Sequence, residues 1–408
     1  MVRLFSYPFG IWPGNMLDEK MPNFVKYFLK HGPIQAVIVF CGEINYLVRR
    51  HKEVDFFTIG DVCITSCLTV LTFARVILPN FKSYGIIWQK FFKTFHLRNF
   101  KNNGYNYKNI CLKMDTVSHY FTVLMIICTM IGMVLFNLSP ICNNVVNGAY
   151  TKRRDENTTL RFSVLYEYPG FKPEDHFIIT TILNFYFSYA CTICICAIDL
   201  MLVLMVFQII GHIEVLRRNL DDFPLPRDVI IFDIESNNRR LEISFESFNA
   251  RENDLIHNHL KDSVNHHRFI VNFVSEMSSV FGPMMGINYL YQLVGCCLLL
   301  LECSQLDTQA LARFGPLTLI SVAQLVEISV IFEVVGSMSE KLIDNVYSLP
   351  WQYMNMKNQR TMFIFFSNVQ RTMHVTCMGV TPIGVQSMAA ILKTSFSYFT
   401  FLRSMDTQ

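Results

Sequence analysis

Between Thr381 and Met405 an apolar stretch carries Lys393 and a run of hydroxyls: Thr394, Ser395, Ser397, Tyr398 and Thr400. Hydrocarbon leaves such groups without partners, so a helix of this composition faces protein or water rather than lipid. At helical spacing Thr394, Ser397, Phe401 and Met405 fall on roughly one face, with Ser404 beside them. Two hydroxyls there suit passing hydrated ions, and two bulky apolar groups suit dewetting a narrow passage, which is one way a channel closes. Asp406, just beyond, would favour cations. The same small and hydroxylated residues also let helices pack closely inside a membrane. On the residues alone the two readings stand level.

A second set suits binding. Met125, Met130, Met133 and Phe136 lie in one apolar run, and Asn184, Tyr186 and Tyr189 in the next. A concave, mostly apolar site with a few polar groups needs this mixture, and methionine adapts to varied shapes. For any single one of these residues, ordinary core packing is the stronger reading. Metal chemistry is not indicated. Cys191, Cys194 and Cys196 sit mid-run, where cysteine behaves as a small hydrophobe, and His257, His259, His266 and His267 read as the solvated face of a charged loop. No nucleophile–base pairing, phosphate loop or H-E-x-x-H is present, so neither an enzyme nor a cofactor has positive support. Glu327 and Glu333 are costly in an apolar run unless paired, for instance with Arg75 or Lys393, or wet. Glu333 fits the wet alternative, near the end of its run.

The elements that would hold these residues are membrane helices. The chain of 408 residues is 51% hydrophobic and only 16% charged, with a mean hydropathy of +0.30, whereas soluble domains carry about a quarter charged residues. A net charge of +3 gives no support to a nucleic-acid partner. Thirteen scattered cysteines define no disulfide framework. No cleaved signal peptide is expected from the first residues. Strong spans are 117–141, 177–210 and 270–301, the latter two longer than one crossing requires. Weaker ones are 33–48, 62–79, 315–338 and the last, giving seven. The nine-residue run 361–369 is too short to cross and reads as a buried helix on one membrane side.

Lysine and arginine set the orientation. With the N-terminus inside, the inner segments carry 23 and the outer segments 9. Asn157-Thr158-Thr159, a glycosylation sequon between spans three and four, is then extracellular, as such a site requires. G-protein-coupled receptors have the opposite topology, and their Asp-Arg-Tyr and Asn-Pro-x-x-Tyr elements are absent.

The string LKTSFSYFTFLRSM closely resembles the C-terminal signature of the insect odorant receptors. Gly10-Ile11-Trp12-Pro13 looks like the Trp-Pro element before their first span, and Tyr347-Ser348-Leu349-Pro350-Trp351 resembles their Tyr-x-x-Pro-Trp stretch. Val380-Thr381-Pro382 departs from the family's Phe-Pro or Phe-x-Pro pair. The related gustatory receptors have a different tail, but a gustatory-type channel of the same superfamily is one alternative. A seven-span transporter is another, although no internal repeat supports it.

The resemblance implies an all-α, polytopic subunit with residues 1–32 cytoplasmic and spans one to six over 33–338. A long cytoplasmic helical anchor would come from about 210–268 and 339–375. A pore-lining span would occupy 376–405, leaving 406–408 outside. It implies tetramers with co-receptor subunits around one cation pore, in the plasma membrane of olfactory sensory neurons. A small volatile odorant would bind among spans two, three, four and six. The candidates for that site are Cys67, Val70, Leu71, Met130, Met133, Phe136, Tyr186, Tyr189, Thr318 and Val322. The implied pore and gate residues are Thr394, Ser397, Phe401, Ser404 and Met405.

Overall fold

The computed structural model describes residues 3, 6–17, 19–148, 160–226, 229–236, 239–305 and 308–406. Asn157 and the side chain of Met405 therefore lie outside the described residues. Apolar runs of this length fold as helices because a helix satisfies every backbone group internally. The long ones are α1 (Asn23–Arg50), α2 (Phe56–Ile77), α4 (Tyr105–Val146), α5 (Phe177–Asp221), α6 (Ala250–Cys303), α7 (Thr308–Tyr347) and α9 (Val385–Asp406). Two short helices join them, α3 (Lys82–Lys90) and α8 (Met356–Val369). At about 1.5 Å per residue each long helix reaches roughly 30 Å or more, the thickness of a bilayer's hydrocarbon. Among the described residues, five regions are also apolar enough to cross by composition, 56–80, 105–146, 177–221, 250–303 and 310–353. The protein is an all-α polytopic membrane protein. In α1 and α9 the length is present, but Glu43, Lys393 and the hydroxyls dilute the apolar character.

Two boundaries differ from the sequence reading. Helix α1 starts at Asn23, so Pro33 lies inside it rather than at its start. Helix α9 starts only at Val385. Before it, β3 (Thr376–Cys377) and β4 (Thr381–Pro382) pair antiparallel. Met378 (φ 52°) and Gly379 (φ 72°) are both left-handed, and Val380 N–H donates to the Cys377 carbonyl at 3.1 Å. Two successive positive φ angles make the tight turn whose twist suits a hairpin, so the chain reverses here before the last helix begins. A second hairpin, β1 (Val229–Ser236) with β2 (Arg239–Glu246), pairs from Val229↔Glu246 to Ser236↔Arg239. It is a small addition to the all-helical plan.

Helix α5 stands at the centre, buried along nearly all of its second half. One continuous core runs down it from Ala190 to Leu220, joining Trp88 of α3, Phe273 of α6, Val346 of α7 and Phe365 of α8. Phe95 stacks on Phe273 with ring centroids 3.7 Å apart. Helix α6 is started by a capping box: Glu252 N–H donates to the Asn249 side chain, and Asn249 N–H donates to Glu252, both at 2.9 Å. Asn358 of α8 donates to the Asn253 carbonyl at 2.8 Å, and Asn355 N–H to Asn253 Oδ1 at 2.9 Å, which latches α8 to the first turns of α6. The expected solvated histidine face is not found. Because α6 begins at Ala250, this stretch is a packed helix rather than a loop, and His267 is buried while His266 lies 3.0 Å from His212. His259 alone of the four is exposed.

Candidate functional site

A cavity of about 130 Å³ lies among six helices. A buried water needs on the order of 10–15 Å³ on such a measure, so the space suits a small volatile of about ten water volumes. Helix α1 supplies Val39 and Glu43, and α2 supplies Thr65, Leu68, Thr69 and Leu71. Helix α4 adds Thr129, Gly132, Met133 and Phe136, and α5 adds Phe187, Ser188, Cys191, Thr192 and Ile195. Asn288, Tyr291 and Gln292 come from α6, Leu317, Ile320, Ser321 and Gln324 from α7, and Val164 from the segment before α5. The lining surface is mostly apolar, but each of the six helices also brings at least one polar side chain to it. Ser321 donates to Gln292 Oε1 at 2.8 Å, and Thr72, behind Cys191, lies 2.8 Å from its sulfur.

Beneath the cavity is a buried ion pair. Arg75 Nη2 donates to Asp199 Oδ1 and Oδ2 at 2.7 and 2.9 Å, with side-chain exposures of 0% and 4%. The same nitrogen reaches Asn288 Oδ1 at 3.2 Å, and Asn288 lines the cavity. Arg75 thus pairs with Asp199, not with Glu327 or Glu333. Glu333 instead accepts from Val385 N–H at 3.0 Å, capping the start of α9. The first turn of a helix has unsatisfied N–H groups and positive partial charge, so a carboxylate is stabilised there.

At the opposite end Arg313 of α7 forms a roof. It donates to Asp61 of α2 at 2.8 Å and to the Ser163 carbonyl at 3.0 Å. Its guanidinium lies 5.2 Å from the Phe136 ring centroid and 4.7 Å from that of Phe314. A cation over aromatic faces is favourable by about 0.5–2 kcal/mol, so Arg313 holds Phe136 against the cavity.

Of the binding candidates, Leu71, Met133 and Phe136 line the cavity. Cys67 packs against the Leu71–Ile195–Tyr291 cluster just outside it. Val70 is exposed, and Met130 and Val322 are half-buried elsewhere. Tyr186 donates to Gln35 at 3.4 Å, Tyr189 meets Phe9 edge-on, and Thr318 donates to the Phe314 carbonyl at 2.8 Å. The sequence reading missed the whole contribution of α1 and α6. A signal for it exists in the sequence: Asn288 and Gln292 stand one turn apart in an apolar run, and Glu43 interrupts the short apolar run 33–48.

In α9, Ser395 is buried and donates to the Leu293 carbonyl at 2.9 Å, so this face packs on α6. Ser397, Phe401 and Ser404 point to roughly the opposite side and are exposed, Phe401 by 61%. Thr394, half-buried between the two faces, donates to the Ala390 carbonyl at 2.8 Å.

Comparison with known proteins bears on the family and the fold. The chain is 21% identical over 380 residues to Odorant receptor 85c of Drosophila melanogaster, covering 91% of this chain and 88% of that protein. In fold it is similar to the insect olfactory receptor OR5 from Machilis hrabei in complex with eugenol, with a TM-score of 0.72 at 13% identity, covering 99% of this chain and 97% of that one. It is equally similar to the structure of OR5 described without eugenol, with a TM-score of 0.72 at 12% identity over 98% and 96% of the two chains. The profile of the 7tm odorant receptors matches residues 55–396, from the cap of α2 through half of α9. The chain belongs to the 7tm odorant receptor family.

Proposed function

We propose that this receptor is the odorant-binding subunit of a ligand-gated, non-selective cation channel, working with co-receptor subunits in a tetramer. The observation that carries the reading is the uncovered face of α9. Its own subunit packs on Ser395 and leaves Ser397, Phe401 and Ser404 open. A helix rich in hydroxyls is a poor neighbour for lipid, and around a tetramer axis this face would line a water-filled path. Hydroxyls would meet hydrated cations, while Phe401 and Met405 would form the apolar constriction that dewets when closed.

The odorant would occupy the α1–α2–α4–α5–α6–α7 cavity, with Leu71, Met133 and Phe136 as apolar contacts. Similarity to a receptor described in complex with eugenol supports a ligand of that size class. The inner excess of lysine and arginine supports a cytoplasmic N-terminus, an extracellular C-terminus and glycosylation at Asn157. On this orientation 210–268 and 339–375 form a cytoplasmic anchor, and the setting is the plasma membrane of olfactory sensory neurons. Expression with and without a co-receptor, recording current against an odorant panel, tests the proposal. Odorant-evoked cation current only in the paired cells is the expected result. Evoked signals that need a G protein, or substrate uptake without current, would replace the channel reading.

A further inference from the structure

One wall of the cavity holds an acid that the apolar reading of the site does not explain. Glu43 of α1 is 0% exposed and lines the cavity. Its Oε2 is buried without a hydrogen-bond partner among the described residues. Its Oε1 has Thr69 Oγ1 at 3.4 Å, but that hydroxyl also stands 3.0 Å from the Thr65 carbonyl, and one proton serves both poorly. Thr65 and Ser66 stand beside the same carboxyl. Thr65, however, donates to the Val62 carbonyl at 3.1 Å, and Ser66 Oγ is itself without a partner among the described residues. Among the described residues no Lys, Arg or His lines the cavity. Two guanidinium groups lie close by: Arg313 is held by Asp61 and the Ser163 carbonyl, and Arg75 gives its Nη2 to Asp199 and Asn288.

A buried polar atom with no partner is costly, by about 1–3 kcal/mol and more when charged. Such a group in a ligand cavity is satisfied by what enters. We infer that the ligand is a small, largely apolar volatile bearing a hydrogen-bond donor, an alcohol, phenol or amine, seated with its O–H or N–H on the Glu43 carboxyl. The inference rests on the reading of this cavity as the odorant site. The rest of the lining would take the hydrocarbon part, with Met133 and Phe136 as its main contacts. A site built to hydrogen-bond a donor also discriminates strongly against an analogue lacking it, because the carboxyl is then left unpaired again.

The test uses matched sets of straight-chain and benzylic compounds, each set an alcohol, an amine and the ether of equal size, on the full receptor expressed with a co-receptor. The expected result is that a donor compound activates at concentrations at least tenfold below its ether. Glu43→Leu should remove that difference. Glu43→Gln, nearly isosteric, should keep the alcohol response while lowering the amine response, since a neutral amide still accepts from O–H but offers no counter-charge. Thermal stabilisation of the purified receptor by the same compounds reads binding without gating, and the wild-type ratios alone decide the matter if a Glu43 variant fails to reach the cell surface. Ethers equal to their alcohols and amines, in current and in stabilisation, overturn the inference, as does a ratio unchanged in Glu43→Leu. Met133→Trp, which fills the cavity, separates the two levels. If it leaves all responses intact, the site reading falls and takes the inference with it. If it abolishes them while Glu43→Leu changes no ratio, the inference alone fails.

Discussion

Replacing Arg75 by Met leaves Asp199 as a buried carboxylate with its three-helix junction broken. The pair is almost fully enclosed, at 0% and 4% exposure, with contacts of 2.7 and 2.9 Å and a third of 3.2 Å to Asn288. At an effective dielectric of about 20, unit charges roughly 4 Å apart attract by about 4 kcal/mol, and removing one partner of a buried pair costs about 3–5 kcal/mol because the other stays desolvated. Arg75→Met should therefore lower the ratio of folded to unfolded receptor on the order of a hundredfold or more, at about 1.4 kcal/mol per tenfold. Asp199→Leu in the Arg75→Met background should recover most of the loss, because an apolar pair of similar volume needs no solvation. Thermal unfolding of detergent-solubilised receptor, single variants against the double variant, measures the coupling. Asn288 joins this pair to the cavity, so the double variant should also show altered agonist potency at restored stability. A single variant as stable as the parent, or a double variant no better than Arg75→Met, would refute the account.

Three further outcomes are expected. A tag appended after Gln408 should be stained on intact cells, and a requirement for permeabilisation would reverse the proposed orientation. Phe136→Ala should change the ranking of agonists while the receptor still reaches the surface, since it opens the cavity wall under Arg313; an unchanged ranking across a broad panel removes Phe136 from the site. Phe401→Ala and Met405→Ser should raise ligand-free current, whereas changes at Thr394 and Ser397 should chiefly alter conductance or ion preference. In a mixed tetramer the effect of one altered subunit is partial, so cysteines at 401 and 405 should also react faster with water-soluble thiol reagents when odorant is present. Rates indifferent to odorant, with unchanged basal current, would place the gate elsewhere.

The helices were legible because their cause is local. A run such as 117–141 has no polar outlet for its backbone, so it must be helical wherever it packs. The short run 361–369 became α8 on an equally local signal, an amphipathic repeat that buries Met362, Phe365 and Val369. Polar residues in apolar runs marked where something beyond lipid contact happens: Glu43, Arg75, Asp199, Asn288 and Glu333 all proved to have such a place. Their partners were not legible. Arg75 and Asp199 are 124 positions apart, and only the packing of α2 against α5 and α6 selects Asp199 over Glu327 or Glu333. The histidines of α6 misled for the same reason, because a charged stretch does not say which helix will cover it. The walls of the cavity are a still longer-range property. Leu71, Met133 and Phe136 share it, while Tyr186 and Thr318, chosen by the same chemical reasoning, do not line it, since a rotation of one residue turns a side chain by about 100°. Sequence thus determined the helices, the membrane and the family signature, each written in consecutive residues. Tertiary structure decided which side chains meet, because six helices fix the cavity together and no one of them encodes it.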